Sequence, residues 1–352
     1  MWRRHLLVGV AILVWLGALI YARRLPRSTP LLAPLILFLA IQSYSVVGAS
    51  DWRIGAEPVL DLVAGIVIFA ALVDCPGLSA ESLRWSLMIS AFCLSVACLA
   101  FIWGRLADWW SLIRAIPDTG AGLLPPTVPR VLAVGTNPNI IAPLMTLAAP
   151  LFLLSIVESR GRKRIVLVLA AVVVQIGVFF TLSRSAWAGE LAGIALTLVL
   201  IAAGGVRRGP LSKAGRRRIA VAILALAAVV AVALAVAVIL LSFGWRPQWL
   251  FRPTIAARTD FRGAALQMIR EHPLLGSGPA SFSLNYPYLS NGDPAGAVHS
   301  HNVLLEIALE SGVAGLIAAA LAGAGALAIL TRLWRHGTGH DRLVAAAVAG
   351  AL

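Results

Sequence analysis

The chain has 352 residues, 60% of them hydrophobic and only 12% charged, with a mean hydropathy of +0.89. Those values lie far outside the range of soluble domains and mark an integral membrane protein. The formal charge of +14 would suit a nucleic-acid binder, but the arginines stand in short clusters between apolar runs and no soluble basic domain is present, so nucleic acid is excluded as a partner.

Apolar runs long enough to cross a hydrocarbon core of roughly 30 Å occur near 5–22, 31–49, 58–74, 85–104, 137–157, 164–181, 185–204, 219–243 and 311–331, and a tenth begins near 342. The start, Met1-Trp2-Arg3-Arg4-His5, lacks a following small-residue cleavage site and reads as a span, not a leader. Segments 23–30, 158–164, 205–218 and 332–342 carry Arg/Lys clusters, densest at Arg207, Arg208, Lys213, Arg216, Arg217 and Arg218. They read as cytoplasmic loops held against anionic membrane lipids. Segments 50–57, 105–136, 182–185 and 244–301 carry few or mixed charges and read as external; the 75–84 loop fits the alternation weakly. Parity then places Met1 outside, although Arg3 and Arg4 favour the cytoplasm, and Leu352 falls inside an apolar run. One further span beyond each end is the expectation. Cys75, Cys93 and Cys98 form neither a disulfide framework nor a metal-ligand spacing.

Segment 105–136 holds Trp109-Trp110 and Leu124-Pro125-Pro126-Thr127-Val128-Pro129, suited to an interfacial anchor or a sugar platform. Segment 244–301 opens with Trp245 and Trp249 and runs through a short amphipathic helix around 258–271. A turn-rich stretch over 273–279 follows, and then Tyr286, Tyr288, Asn291 and Asp293. No internal repeat is visible, which argues against inverted-repeat transporters.

From 299 the chain reads His-Ser-His-Asn and enters a helix with polar residues at every fourth position, Asn302, Glu306 and Glu310. Ser300 or Asn302 can cap it. Two imidazoles, an amide and two carboxylates where a loop meets a bilayer suit either an interfacial amphipathic helix or the wall of an active site.

Three blocks carry a resemblance. The first is Arg258-Thr259-Asp260-Phe261-Arg262-Gly263 through Ile269, running into His272-Pro273-Leu274-Leu275-Gly276-Ser277-Gly278-Pro279 and Phe282. The second is His301-Asn302 with Glu310, Gly312 and Gly315, and the weaker third is Thr181-Leu182-Ser183-Arg184-Ser185. In order and spacing these blocks resemble the O-antigen ligase and polymerase family of bacterial envelope glycosyltransferases. The resemblance implies an all-α, GT-C-like integral membrane enzyme with about ten visible spans. Its parts would be helices 1–8 over 1–243, a long periplasmic or extracellular catalytic loop over 244–301, and a helix end, ninth span and start of a tenth over 302–352.

It also implies an undecaprenyl-diphosphate-linked glycan donor, a lipid-core, glycan or protein acceptor, and a bacterial inner-membrane location with the site facing outward. A diphosphate held there needs fixed positive charge, and arginine pairs with phosphate oxygens bidentately. Arg184 matches the family's arginine at a helix junction; snorkelling from a helix end also accounts for it. Arg258 stands where the family's functional arginine stands in register with His272-Pro273. Arg262 occupies a position usually held by tryptophan, a departure from the pattern, and a solvated helix face accounts for either arginine alone.

His301 matches the family's histidine and suits a general base on the acceptor hydroxyl; His299 competes, as a substrate contact or a cap. His272, before a proline, reads as structural. Glu190 inside the 185–204 span is expected to pair with an arginine or line a cavity. Glu306 and Glu310 are expected to orient His301 or an arginine. No acidic pair for a divalent metal is evident and no cofactor is implied, so the reading is an inverting transfer in which arginines do the electrostatic work. Alternatives are a repeat-unit polymerase of the same family, a membrane transporter of small anions, or a sensing subunit without chemistry.

Overall fold

The computed structural model describes residues 2–23, 26–27, 29–75, 77–114, 138–208, 254–289 and 299–351. Among them every regular element is helical. In chain order these are α1 (Trp2–Tyr21), α2 (Leu32–Ser45) with a 3-10 turn (Val46–Gly48), α3 (Trp52–Asp74), α4 (Ala80–Arg114), α5 (Pro138–Thr146), α6 (Ala148–Glu158), α7 (Gly161–Phe180), α8 (Arg184–Arg208), α9 (Thr254–Glu271), α10 (Ser281–Leu289), α11 (Val303–His336) and α12 (Gly339–Ala351).

Against ten apolar runs in the sequence, six helices among the described residues are long and apolar enough to cross a membrane, and two shorter apolar helices, Ile12–Tyr21 and Leu32–Gly48, accompany them. The chain is a multi-pass membrane protein. The run at 219–243 and the residues Lys213, Arg216, Arg217, Arg218, Trp245, Trp249, Asn291 and Asp293 lie outside the described residues. Three expected boundaries move. α4 continues to Arg114, ten residues into the stretch read as an external loop from 105. The 137–157 run is two helices meeting at Leu147, because Pro150 has no N–H to give the carbonyl of Thr146. The ninth run is continuous with the polar stretch before it, as α11.

The chain divides into two compact units, one of residues 1–78 with 253–328, the other of 79–252 with 329–352. In the second unit α4 packs on α7, and α12 packs on α6 and α8. Its core is built from Met88, Met145, Phe152, Leu154, Val174 and Val178. α12 approaches α8 closely, and the hydroxyl of Thr197 donates to the carbonyls of Gly193 and Ala346. Small residues at such a crossing are how membrane helices gain van der Waals contact.

In the first unit α3 packs on α1 and α2, and α9 on α10. Asp51, which stands apart from other acids in the sequence, caps α3: its carboxylate accepts from the N–H of Arg53 at 2.8 Å. The organising feature is a break in α11 at Gly312, whose φ of 62° is non-helical. In an unbroken helix the N–H groups of Val313 and Ala314 would bond the carbonyls of Leu309 and Glu310. Here segment 273–278 inserts between them. Val313 N–H donates to Pro273 O at 2.9 Å and Ala314 N–H to Leu274 O at 3.2 Å, while Ser277 N–H donates to Leu309 O at 2.7 Å and Gly278 N–H to Glu310 O at 3.1 Å.

All four opened backbone groups are thereby satisfied, as a buried backbone requires. The backbones meet too closely for side chains. A Cβ at Gly276 would lie 2.3 Å from the carbonyl carbon of Glu310, and one at Gly312 would lie 2.3 Å from that of Leu274. From the other side, Ser45 Oγ on α2 donates to Leu275 O at 2.7 Å. The Glu310 carboxylate accepts from Ala280 N–H at 2.9 Å and from the Gln42 amide.

Candidate active site

The polar turn before α11 sits just upstream of this interlock. Asn302 is the cap, its Oδ1 accepting from the N–H groups of Leu304 at 3.0 Å and Leu305 at 3.1 Å. Glu306, one turn into the helix, reaches back: Oε2 accepts from the N–H of Ser300 at 2.7 Å and from its hydroxyl, and Oε1 faces His299 Nδ1 at 3.2 Å. Glu306 therefore holds His299 and Ser300, where the sequence reading has it orient His301 or an arginine. The hydrogen bond to Glu306 raises the pKa of His299 above the usual imidazole value; partial burial opposes this, and the charges of Glu306 and Glu310 add to it.

His301, between the cap and the Glu306-bound serine, has a φ of 57°. That left-handed conformation is uncommon for a residue with a side chain, and histidine is among those that tolerate it. It turns the chain so that the exposed imidazole lies against Phe261 of α9, with ring centroids 5.4 Å apart. Phe261 in turn meets Tyr286 edge-on at 5.1 Å and Phe282 at 6.4 Å. Phe282, Tyr286, Ala264, Ala265, Met268 and Leu309 bury one another beneath it. The histidine thus stands on an aromatic seat anchored in the first unit's core.

α9 relates this seat to the arginines. Positions 261, 264, 265 and 268 face the core, and Arg258 belongs to the same helix, three residues before Phe261. Arg262, adjacent to Phe261, is exposed. The helix begins at Thr254, four residues before the boundary expected from sequence.

His299, His301, Asn302 and Glu306, with the helix that carries Arg258 and Arg262, are thus gathered in the first unit. Arg184 and Glu190 belong to the second. Arg184 opens α8 and is exposed, after a tight turn in which Leu182 has a φ of 51° and the Thr181 hydroxyl donates to Val178 O at 2.7 Å. Trp187, stacked on Phe179 at 5.6 Å, donates its indole N–H to the same carbonyl and fixes the turn. Glu190 is buried and accepts from the side-chain amide of Gln175 on α7. Of the two expectations for Glu190, an arginine partner or a place in a cavity wall, the first gives way to this amide, which satisfies the carboxylate without a second buried charge.

Sequence reasoning missed the role of Phe261 as the seat of His301 and of Ser300 as a ligand of Glu306. The only signal was the recurrence of aromatics at 261, 282 and 286, which hydrophobic packing alone explains. Among the described residues no group of three or more His, Cys, Asp or Glu side chains is placed to hold a metal ion.

No curated protein matches the chain. Residues 165–320, which take in α8, α9, α10 and the break in α11, match the family model described as O-antigen ligase.

Proposed function

We propose that the protein transfers a glycan from an undecaprenyl-diphosphate-linked donor to an acceptor hydroxyl at the outer face of the bacterial cytoplasmic membrane. The observation that carries the reading is the placement of His301: exposed, turned by its left-handed backbone onto Phe261, and so seated on the helix that bears Arg258. The reaction forms a bond between the acceptor oxygen and the anomeric carbon as the bond from that carbon to the diphosphate oxygen breaks. The hydroxyl proton passes to His301, and undecaprenyl diphosphate departs with the electron pair. In-line attack inverts the anomeric centre. Arg258, in the same unit as His301, binds the diphosphate, where a planar guanidinium gives two parallel hydrogen bonds to phosphate oxygens. Ligation to a lipid core and polymerisation of repeat units share this chemistry and differ in the acceptor.

One observation favours a second base. A carboxylate behind an imidazole is the arrangement that orients a catalytic histidine, and it is His299 that has one. Its raised pKa, however, keeps that ring protonated to higher pH. A protonated ring suits stabilising a phosphate, and the base is assigned to His301 because it is the histidine directly before Asn302, the position that matches the family's histidine.

The experiment is incubation of the purified chain with a lipid-linked glycan and candidate acceptors, with transfer followed by mass spectrometry. His301→Asn is expected to fold, since asparagine tolerates the left-handed region, and to fail in transfer. Near-normal transfer by that variant would remove His301 as the base, and loss confined to His299→Ala would move the role to His299.

A further inference from the structure

At one end of the second unit the starts of α4, α7 and α12 and the end of α6 converge around a cavity of about 610 Å³ lined by Arg84, Glu158, Ser159, Arg160, Lys163 and His340. None of the residues placed in the transfer chemistry lines it. Glu158 is already committed: Oε2 takes Arg84 Nη1 at 2.7 Å and Oε1 faces His340 Nδ1 at 3.1 Å. Glu81, the other acid of the wall, stands 3.8 Å from Arg84. Arg160 and Lys163 therefore face the cavity with no carboxylate partner among the described residues.

Two further donors lack acceptors. The Nε of Arg84 is buried without a hydrogen-bond partner. Arg160, at the N-cap of α7, gives that helix no side-chain cap, and a helix start leaves its first N–H groups without intrahelical acceptors. An anion with several acceptor oxygens satisfies all of these together.

We propose that this cavity binds the phosphate-bearing headgroup of an anionic membrane lipid. The volume far exceeds a bare phosphate and leaves room for a glycerol backbone. The cavity lies at the ends of membrane-length helices, where headgroups sit, and Trp85 is there with the Lys163 ammonium 5.2 Å above its ring. From its rim the exposed apolar residues Ile165, Val166 and Leu169 of α7 continue along the helix and offer a surface for acyl chains. The four basic groups at this end are of the kind that the positive-inside rule assigns to the cytoplasmic leaflet.

The test uses the full chain reconstituted in phosphatidylcholine bilayers containing a minor fraction of phosphatidylglycerol, with retained lipids counted by native mass spectrometry. Arg160→Gln combined with Lys163→Gln is expected to lower retained phosphatidylglycerol by roughly tenfold or more, from two lost surface charges. Lys163→Arg should retain it, and Arg335→Gln, a basic residue outside the cavity, should leave retention unchanged. Equal retention by the double variant and the wild type would overturn the proposal. So would displacement of the lipid by millimolar inorganic phosphate, which would make the occupant a soluble phosphate compound. Both residues are exposed, so an unchanged melting temperature in pure phosphatidylcholine is expected and separates lost binding from lost folding.

Discussion

Two points ten residues apart on one helix are held by opposite means. At Asn302 and Glu306 side chains do the holding, through a capping amide and a carboxylate that gathers Ser300 and His299. At Gly312 the backbone does it, by exchanging two helical hydrogen bonds for four bonds to an inserted loop. The difference teaches where the protein can be altered. The turn that presents His301 can lose a side chain and keep its shape, whereas the break admits no side chain at all.

The sharpest way to break the comparison is Gly312→Ala. A Cβ there meets the Leu274 carbonyl at 2.3 Å in a conformation already unfavourable to alanine, so a loss on the order of 3 kcal/mol or more is expected. It should appear as a fall in melting temperature and in yield of monodisperse protein; wild-type behaviour would mean that the loop does not insert. Next comes His301→Asn, expected to keep the wild-type melting temperature while transfer drops by about 10²–10⁴, the usual worth of a general base.

A smaller contrast is expected on α9. Arg258→Lys retains charge but loses the planar fork and should impair transfer clearly, whereas Arg262→Ala, at an exposed position off the buried face, should be mild. The reverse order would shift the functional face of this helix. Asn302→Ala removes the cap and should cost about 1 kcal/mol of stability without abolishing folding, measured by thermal unfolding.

The smallest effect is a pH dependence at His299. Its pKa is raised in the fold, so the contribution of the His299–Glu306 pair to stability is fully present below the ordinary imidazole value and is lost as pH rises through the higher folded value. The side chain is 64% exposed, so the slope is shallow. His299→Gln should flatten it, and an unchanged slope in that variant would assign the titration to another group.

How far the sequence could be read varied with the range of the interaction. Polarity at 302, 306 and 310 announced a helix that begins wet, and Asn302 caps it as its chemistry suggests. The same spacing could not say that Glu306 bends back to His299 and Ser300 and not to the nearer His301, because all three precede it by five to seven residues in a turn whose course the sequence does not fix. Glu190 showed the same limit: its burial was legible from the apolar run around it, but its partner, Gln175, is set by how α7 and α8 pack.

What the sequence determined by itself was the membrane, through hydrophobic runs matched to a bilayer's thickness. Tertiary structure decided the rest. The insertion of 273–278 into α11 joins backbones 32 to 40 residues apart, and no periodicity encodes it; only glycines at 276 and 312 permit it, and a glycine in a sequence does not say what it must let pass. The seat of His301 on Phe261 likewise exists because two helices distant along the chain are brought into van der Waals contact, and that is a property of the packed core, not of either segment alone.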